Sequence, residues 1–186
     1  MKKTFLLLSL SLATLLTAGN AFSQDLPDLD KSPADIAYYP PKIATDRDAS
    51  KTPAIKVVYS RPQKNGRVVF GQLEPYGKVW RAGANESTEI KFYKDAKLGG
   101  KDIKAGTYTL YAIPEKDKWT VIINSGVDKW GAYFYDQKKD VVRVDVPVAK
   151  TPKTVEAFTI AFKDESGKAT MVMAWDDTMV EVPIQL

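Results

Sequence analysis

The chain has 186 residues and contains neither histidine nor cysteine. This composition excludes a Ser-His-Asp triad, a Cys-His pair, and zinc, copper and haem sites of the usual kinds. The formal net charge of +4 falls to +2 when Lys2 and Lys3 are lost with the first 23 residues, which is too little to predict nucleic-acid binding. We therefore expect no metal, no cofactor and no nucleic-acid partner.

The amino terminus has the pattern of a secretory signal peptide. Lys2 and Lys3 precede an apolar run over residues 5–16, and the small residues Ala21 and Ser23 lie three and one positions before Gln24. The apolar run spans about twelve residues, whereas a membrane-spanning helix needs roughly twenty. A lipoprotein anchor would need a cysteine. We predict a signal peptide over residues 1–23, export to the periplasm or beyond the cell, and no membrane span after cleavage.

Residues 24–53 form a proline-rich segment without a regular hydrophobic period. We predict that it is a non-regular lead-in. Because Ile36, Tyr38 and Tyr39 are too apolar for a free linker, we expect the lead-in to pack on the domain that follows, residues 54–186. The prolines of this segment are Pro27, Pro33, Pro40, Pro41 and Pro53.

From residue 54 onward, apolar residues alternate with a period of two, as half-buried strands require. Turn signals such as Asn65-Gly66, Gly99-Gly100 and Asp176-Asp177 separate the runs. The pattern predicts an all-β, antiparallel β-sandwich or barrel-like domain of roughly eight to ten short strands. The best candidate for a short helix is residues 129–137. The clearest strand runs centre on Val57, Leu110, Val121, Val144, Ile160, Met173 and Val182.

The segment of residues 74–88 mixes small residues with polar and aromatic ones. Trp80 could stack on a sugar, Arg81 could grip an anion with its planar fork, and Glu86 could act as a base. A structural interpretation competes: Trp80 fills the core, Arg81 pairs with Glu86, and Asn85 adopts a left-handed turn. The candidate ligand-binding residues here are Trp80, Arg81, Asn85, Glu86 and Thr88.

Three further groups are candidates for a site. Arg61 and Arg67 could join Arg81 in an anion pocket, although arginines at strand ends are more often surface residues. Asp176 and Asp177 could pair with Glu86 as two glycosidase carboxylates, although aspartates at turns usually bond their own backbone. A group of aromatic residues could form a sugar platform or could belong to the core. This aromatic group is Trp119, Trp130, Tyr133, Phe134 and Tyr135.

Several of these motifs resemble those of an exported family of Bacteroidota-type bacteria known as domain of unknown function number twenty-nine eleven. The most specific element is the run Trp-Arg-Ala-Gly-Ala-Asn-Glu at residues 80–86, where the family usually has Thr in place of Ala82. The resemblance extends over nearly all of the mature chain and implies export and a single β domain. It implies no activity. The other matching elements are Ser60-Arg61-Pro62, Gly66-Arg67, Phe70-Gly71 and Pro75-Tyr76-Gly77.

Three functions are compatible with these patterns, and the absence of the usual catalytic residues favours a protein that is not an enzyme. The first is a non-catalytic binding module of the cell envelope for a small polar ligand, a glycan or a protein partner. The second is a carboxylate-dependent glycan hydrolase or lyase that uses Glu86. The third is a structural or accessory envelope protein. The patterns predict no oligomeric state.

Overall fold

A computed structural model describes residues 26–186, so the predicted signal peptide lies outside the described residues. Within that range nine antiparallel strands form one hydrogen-bonded sheet in the order β1-β2-β3-β6-β7-β8-β9-β4-β5. This confirms the prediction of an all-β antiparallel fold. The terminal strands β1 and β5 do not pair with each other, so the sheet is not a closed barrel. The strands are β1 (Ala34–Tyr39), β2 (Ile55–Ser60), β3 (Glu89–Phe92), β4 (Ala96–Leu98), β5 (Lys101–Ile103), β6 (Gly106–Pro114), β7 (Lys118–Asn124), β8 (Asp140–Glu165) and β9 (Lys168–Gln185).

The strands form two layers, β1, β2, β3, β6 and β7 in one and β4, β5 and β9 in the other, and strand β8 belongs to both. Its first part pairs with β7, from Asp140 to Pro147, and from Val148 onward it pairs with β9. The later part of β8 then crosses β1 and β2, where Phe158 packs edge-on against Tyr59 with ring centroids 5.8 Å apart. The result is an open, sandwich-like arrangement with the core between the layers.

Three local expectations were wrong. The strands are not all short, because β8 has 26 residues and β9 has 18. The predicted turn at Asp176-Asp177 lies inside β9, where Asp176 adopts a positive φ of 58° and the register with β8 shifts. The predicted helix at residues 129–137 does not form: residues 129–136 are irregular, and a 3-10 turn, Gln137–Lys139, begins at its last residue.

Strand β1 lies inside the segment that was expected to be non-regular. It pairs along its whole length with β2, from Ala34 opposite Ser60 to Tyr39 opposite Ile55. Tyr39 is only 5% exposed and packs against Phe162 of β8. This part of the lead-in is therefore a strand of the sheet.

An aromatic cluster fills the centre of the core. Trp80 stacks on Trp175 at 6.0 Å and meets Trp119 edge-on at 5.8 Å, while Phe70 and Phe158 complete the cluster. Buried aromatic residues contribute large apolar areas and favour such edge-on geometries. Among the described residues, no helix has the length and hydropathy that a bilayer crossing needs.

Candidate ligand-binding cleft

Trp80 belongs to the core. Its side chain is 3% exposed, and its indole Nε1 donates a hydrogen bond to the Gly83 carbonyl at 3.1 Å. Its backbone pairs with Ala112 of β6 through hydrogen bonds of 2.7 and 2.9 Å. The ring is therefore out of reach of a ligand in solution, and the structural interpretation applies to this residue.

The residues after Trp80 fold into a tight loop held by its own backbone. Ala82 and Asn85 adopt positive φ values of 51° and 56°. A Cβ on Gly83 would lie 3.0 Å from the Ser60 carbonyl oxygen and 3.0 Å from Oγ1 of Thr88, so a larger residue would force these neighbours to shift. Thr88, 1% exposed, donates its hydroxyl to the Ala82 carbonyl at 2.6 Å. This loop has a structural role, because it fixes the position at which β3 begins.

Two of the three candidate arginines, Arg61 and Arg67, bond to the protein's own chain. Arg61 donates to the Phe158 carbonyl, to Asp35 and to Thr159, at 3.1, 3.0 and 2.9 Å respectively. Arg67 donates to the carbonyls of Lys64 and Gln63. These bonds hold the guanidinium groups of both arginines against the protein's own chain.

Arg81 lies near Glu74, a carboxyl group whose pKa is raised by burial. Its Nε is buried without a hydrogen-bond partner among the described residues. Burial raises the pKa of the nearby Glu74 from 4.5 to about 7, against the opposing charges of Arg81 and Arg67. Glu74 therefore changes its charge near neutral pH, whereas the predicted pairing of Arg81 with Glu86 is not among the ion pairs of the structure.

A cleft of about 450 Å³ opens on the outer face of the sheet. Its floor is a cross-strand row in which Val58 of β2 faces Glu89 of β3, and Glu89 faces Thr109 of β6. The strand period places these residues opposite the core-facing Val57 and Ile90. Its volume falls within the range of small-molecule sites. The remaining lining residues are Ala34, Tyr59, Ser60, Glu86, Ser87, Asp128, Lys129 and Trp130.

One wall of the cleft is a backbone junction between two distant loops. Ser87 donates its amide to the Lys129 carbonyl at 2.9 Å, and Gly131 donates its amide to the Asn85 carbonyl at 3.0 Å. The Ser87 hydroxyl donates to the Gly131 carbonyl. This junction places Glu86 opposite Trp130 in an isolated antiparallel bridge.

Asn124 anchors the loop that carries Trp130. It is 2% exposed and ends β7 beside Thr109. Its side-chain amide donates to the Asp136 carbonyl at 3.0 Å and to an Asp140 carboxyl oxygen at 2.7 Å, and its oxygen accepts from the Gly126 amide at 2.8 Å. Both ends of the loop at residues 125–139 are thereby tied to one side chain.

The cleft is acidic. Of the charged residues that line it, three are acidic, Glu86, Glu89 and Asp128, and one is basic, Lys129. Carboxylates accept hydrogen bonds from hydroxyl and amine donors and repel anions. Among the described residues, no group of three or more acidic side chains is placed to hold a metal ion.

The structure separates the candidate residues into two groups. Glu86 lines the cleft and Asn85 supports it through its carbonyl, whereas Trp80 and Thr88 are buried. Arg61, Arg67 and Arg81 do not line the cleft.

The group of aromatic residues also contains both buried and exposed members. Trp119 is fully buried, while Trp130, Tyr133 and Phe134 are 55%, 79% and 69% exposed. Sequence reasoning did not single out Glu89, Asp128 or Lys129, and the only available signal was their proximity in the chain to Thr88 and Trp130.

Asp176 and Asp177, the possible carboxylate partners of Glu86, each form an ion pair with a lysine. Asp176 forms an ion pair with Lys64 at 2.8 Å, and Asp177 forms one with Lys150 at 2.5 Å. Both aspartates line a different cavity from the one that Glu86 lines. Asp176 lies inside β9, at the register shift with β8.

The fold and the cleft define an open all-β protein with an aromatic residue at the rim of an acidic surface cleft. Residues 40–184 match the family described as "Protein of unknown function (DUF2911)", and the chain belongs to that family. No curated protein matches the chain, and no solved structure matches it.

Proposed function

We propose that the protein is an exported, non-catalytic binding module that holds a neutral, hydroxyl-rich ligand of the saccharide class in the cleft between Glu86 and Trp130. Export rests on the signal-peptide pattern of residues 1–23. The periplasm or the extracellular space is the compartment in which the ligand would be met. The binding assignment rests on the cleft.

The observation that carries the proposal is the exposure of Trp130. The chain has four tryptophans. Trp80, Trp119 and Trp175 are at most 3% exposed, whereas Trp130 is 55% exposed at the cleft rim. An indole presents an apolar face and one donor, which suits the mixed apolar and polar surface of a sugar ring.

The charges of the cleft favour a neutral ligand rich in donors. Glu86, Glu89 and Asp128 can accept hydrogen bonds from sugar hydroxyls, and Lys129 can donate. An anionic ligand would meet three negative groups and only one positive group. A neutral saccharide avoids this repulsion and uses the acceptors.

The cleft is also fixed before any ligand arrives. Its floor consists of paired strands, and its wall is held by the hydrogen bonds of Ser87, Gly131 and Asn124. A preformed site loses less conformational entropy on binding than a site that must order its loops.

Acrylamide quenching of tryptophan fluorescence tests the proposal, because the quencher reaches Trp130 far more readily than the three buried indoles. The probes are neutral gluco-, manno- and N-acetylglucosamine oligosaccharides. We expect at least one series to protect the exposed fluorophore, and expect Trp130→Phe to remove most of the quenchable signal. Unchanged quenching with every saccharide would refute the proposal.

Three acidic residues that line one cleft also favour a second function, glycan hydrolysis. A hydrolase needs an acid and a second carboxylate on opposite sides of the scissile bond. Reducing-end release from the protecting saccharide distinguishes the two functions. No release is expected for a binding module, whereas release that disappears in Glu86→Gln would establish the enzyme instead.

A further inference from the structure

Two exposed aromatic side chains continue the surface beyond Trp130. Tyr133 is 79% exposed and Phe134 is 69% exposed. Single apolar residues scattered over a surface are normal in soluble proteins, whereas contiguous exposed apolar patches mark interaction surfaces. We call Tyr133 and Phe134 the aromatic shelf.

The shelf lies directly beside the cleft wall. A Cβ on Gly131 would lie 2.8 Å from Cε2 of Tyr133, so the tyrosine ring lies across the glycine backbone. Gly131 is the residue whose carbonyl accepts the Ser87 hydroxyl in that wall. The Tyr133 ring therefore lies over the buried glycine that follows Trp130 in the chain.

The shelf is held in place from its carboxyl-terminal side as well. The Tyr135 ring packs edge-on against Tyr111 at 5.2 Å, and its hydroxyl donates to the Asp140 carboxylate at 2.7 Å. Arg143 donates to the Tyr135 hydroxyl oxygen at 2.9 Å. Because Trp130 and Tyr135 are both anchored, the two exposed rings between them are presented on a fixed support.

We infer that the ligand is a linear neutral oligosaccharide of at least two units, with one unit in the cleft against Trp130 and the next unit on the aromatic shelf. This inference rests on the proposed function and extends it to the length of the ligand. A single sugar unit would occupy the cleft and leave Tyr133 and Phe134 in water. A chain would cover both.

The cleft disfavours a second copy of this protein as the partner. A protein surface closing over the cleft and shelf together would remove Glu86, Glu89 and Asp128 from water. Burying carboxylates without matched partners is strongly unfavourable. Sugar hydroxyls can satisfy these acceptors one by one while the ring faces cover the aromatic residues.

The test is a chain-length series, from one to four units, of each neutral saccharide series named above, titrated by calorimetry against the mature protein. We expect affinity to rise about tenfold or more from the monosaccharide to the longer chains. Tyr133→Ala should remove most of that gain and leave monosaccharide affinity within about twofold. Tyr93→Ala is the matched control, because Tyr93 is 39% exposed and does not line the cleft.

The outcomes separate the two proposals. Monosaccharide binding with no gain from chain length would overturn the inference and leave the proposed function standing. The absence of any saccharide binding would overturn both. Self-association in sedimentation experiments that Tyr133→Ala abolishes would assign the shelf to a second copy and would also overturn the inference. The Tyr133 side chain is largely exposed, so its removal should not affect folding.

Discussion

Glu86 and Trp130 face each other in an isolated antiparallel bridge, although they are far apart in the chain. Glu86 precedes β3, and Trp130 follows β7. The bridge brings a carboxylate and an exposed indole to the same cleft rim. It also explains what the unusual segment at residues 80–88 does. Most of that segment has a structural role. It fixes the position of Glu86 and of the loop at residues 125–139, which bonds to it.

The Thr88 hydroxyl stabilises the loop that precedes β3. Replacing Thr88 with valine keeps the shape but removes the 2.6 Å hydrogen bond to the Ala82 carbonyl in a buried position. We expect the free energy of unfolding to fall by about 1–3 kcal/mol, because the carbonyl is left unpaired. Urea denaturation measures the change. Thr107→Val at an exposed position of β6 is the control and should change stability by less than about 0.5 kcal/mol.

Glu74 should make stability depend on pH between about 4.5 and 7. Its pKa is raised to about 7 by burial, so the folded state holds a proton that the unfolded state releases above 4.5. Stability from this group is therefore complete below pH 4.5 and is lost as pH rises to 7, by on the order of 2 kcal/mol.

Glu74→Gln should flatten this part of the stability curve and stabilise the protein at pH 8. Thermal or urea unfolding across pH 4–8 measures the effect, with the exposed Glu165→Gln as the control. The assignment fails if Glu74→Gln and the wild type lose stability equally between pH 4.5 and 7.

Asn124 should control the order of the loop at residues 125–139. Asn124→Ala removes hydrogen bonds to Gly126, Asp136 and Asp140. We expect a loss of about 2–3 kcal/mol in stability and faster amide hydrogen exchange in this loop than in β6. Gln137→Ala at an exposed position is the control. Exchange that accelerates equally in the loop and in β6 would show global destabilisation instead.

The negative charge of the cleft should make a cationic quencher of Trp130 fluorescence more efficient than an anionic one. Because Glu86 and Asp128 line the same cleft as Trp130, caesium should quench its fluorescence more efficiently than iodide, after each is normalised to N-acetyltryptophanamide. Glu86→Gln should raise iodide quenching by about 1.5–2-fold at low ionic strength. Equal quenching by the two ions would show that the carboxylates do not influence the approach of ions to Trp130.

The sequence predicted the strands wherever apolar and polar residues alternate, as around Val144 and Ile160. It did not predict that both runs belong to one long strand, because the bend of β8 depends on pairing with β7 and then with β9. Strand β1 was missed because prolines surround it and its order comes from pairing with β2.

The site was less predictable for a physical reason. Trp80 and Trp130 are the same residue type in similar irregular surroundings, and only tertiary packing makes one 3% and the other 55% exposed. The junction that builds the cleft uses backbone atoms of Lys129, Gly131 and Asn85, which leave no side-chain signature in the sequence.

The most direct test of the central claim is the affinity of the protecting saccharide for the wild type and for Trp130→Ala, measured by calorimetry. Because Trp130 is 55% exposed, its loss should leave the fold intact. The account predicts a loss of affinity of about tenfold or more, with partial recovery in Trp130→Phe. Equal affinity of the wild type and Trp130→Ala would contradict the assignment of the cleft as the binding site.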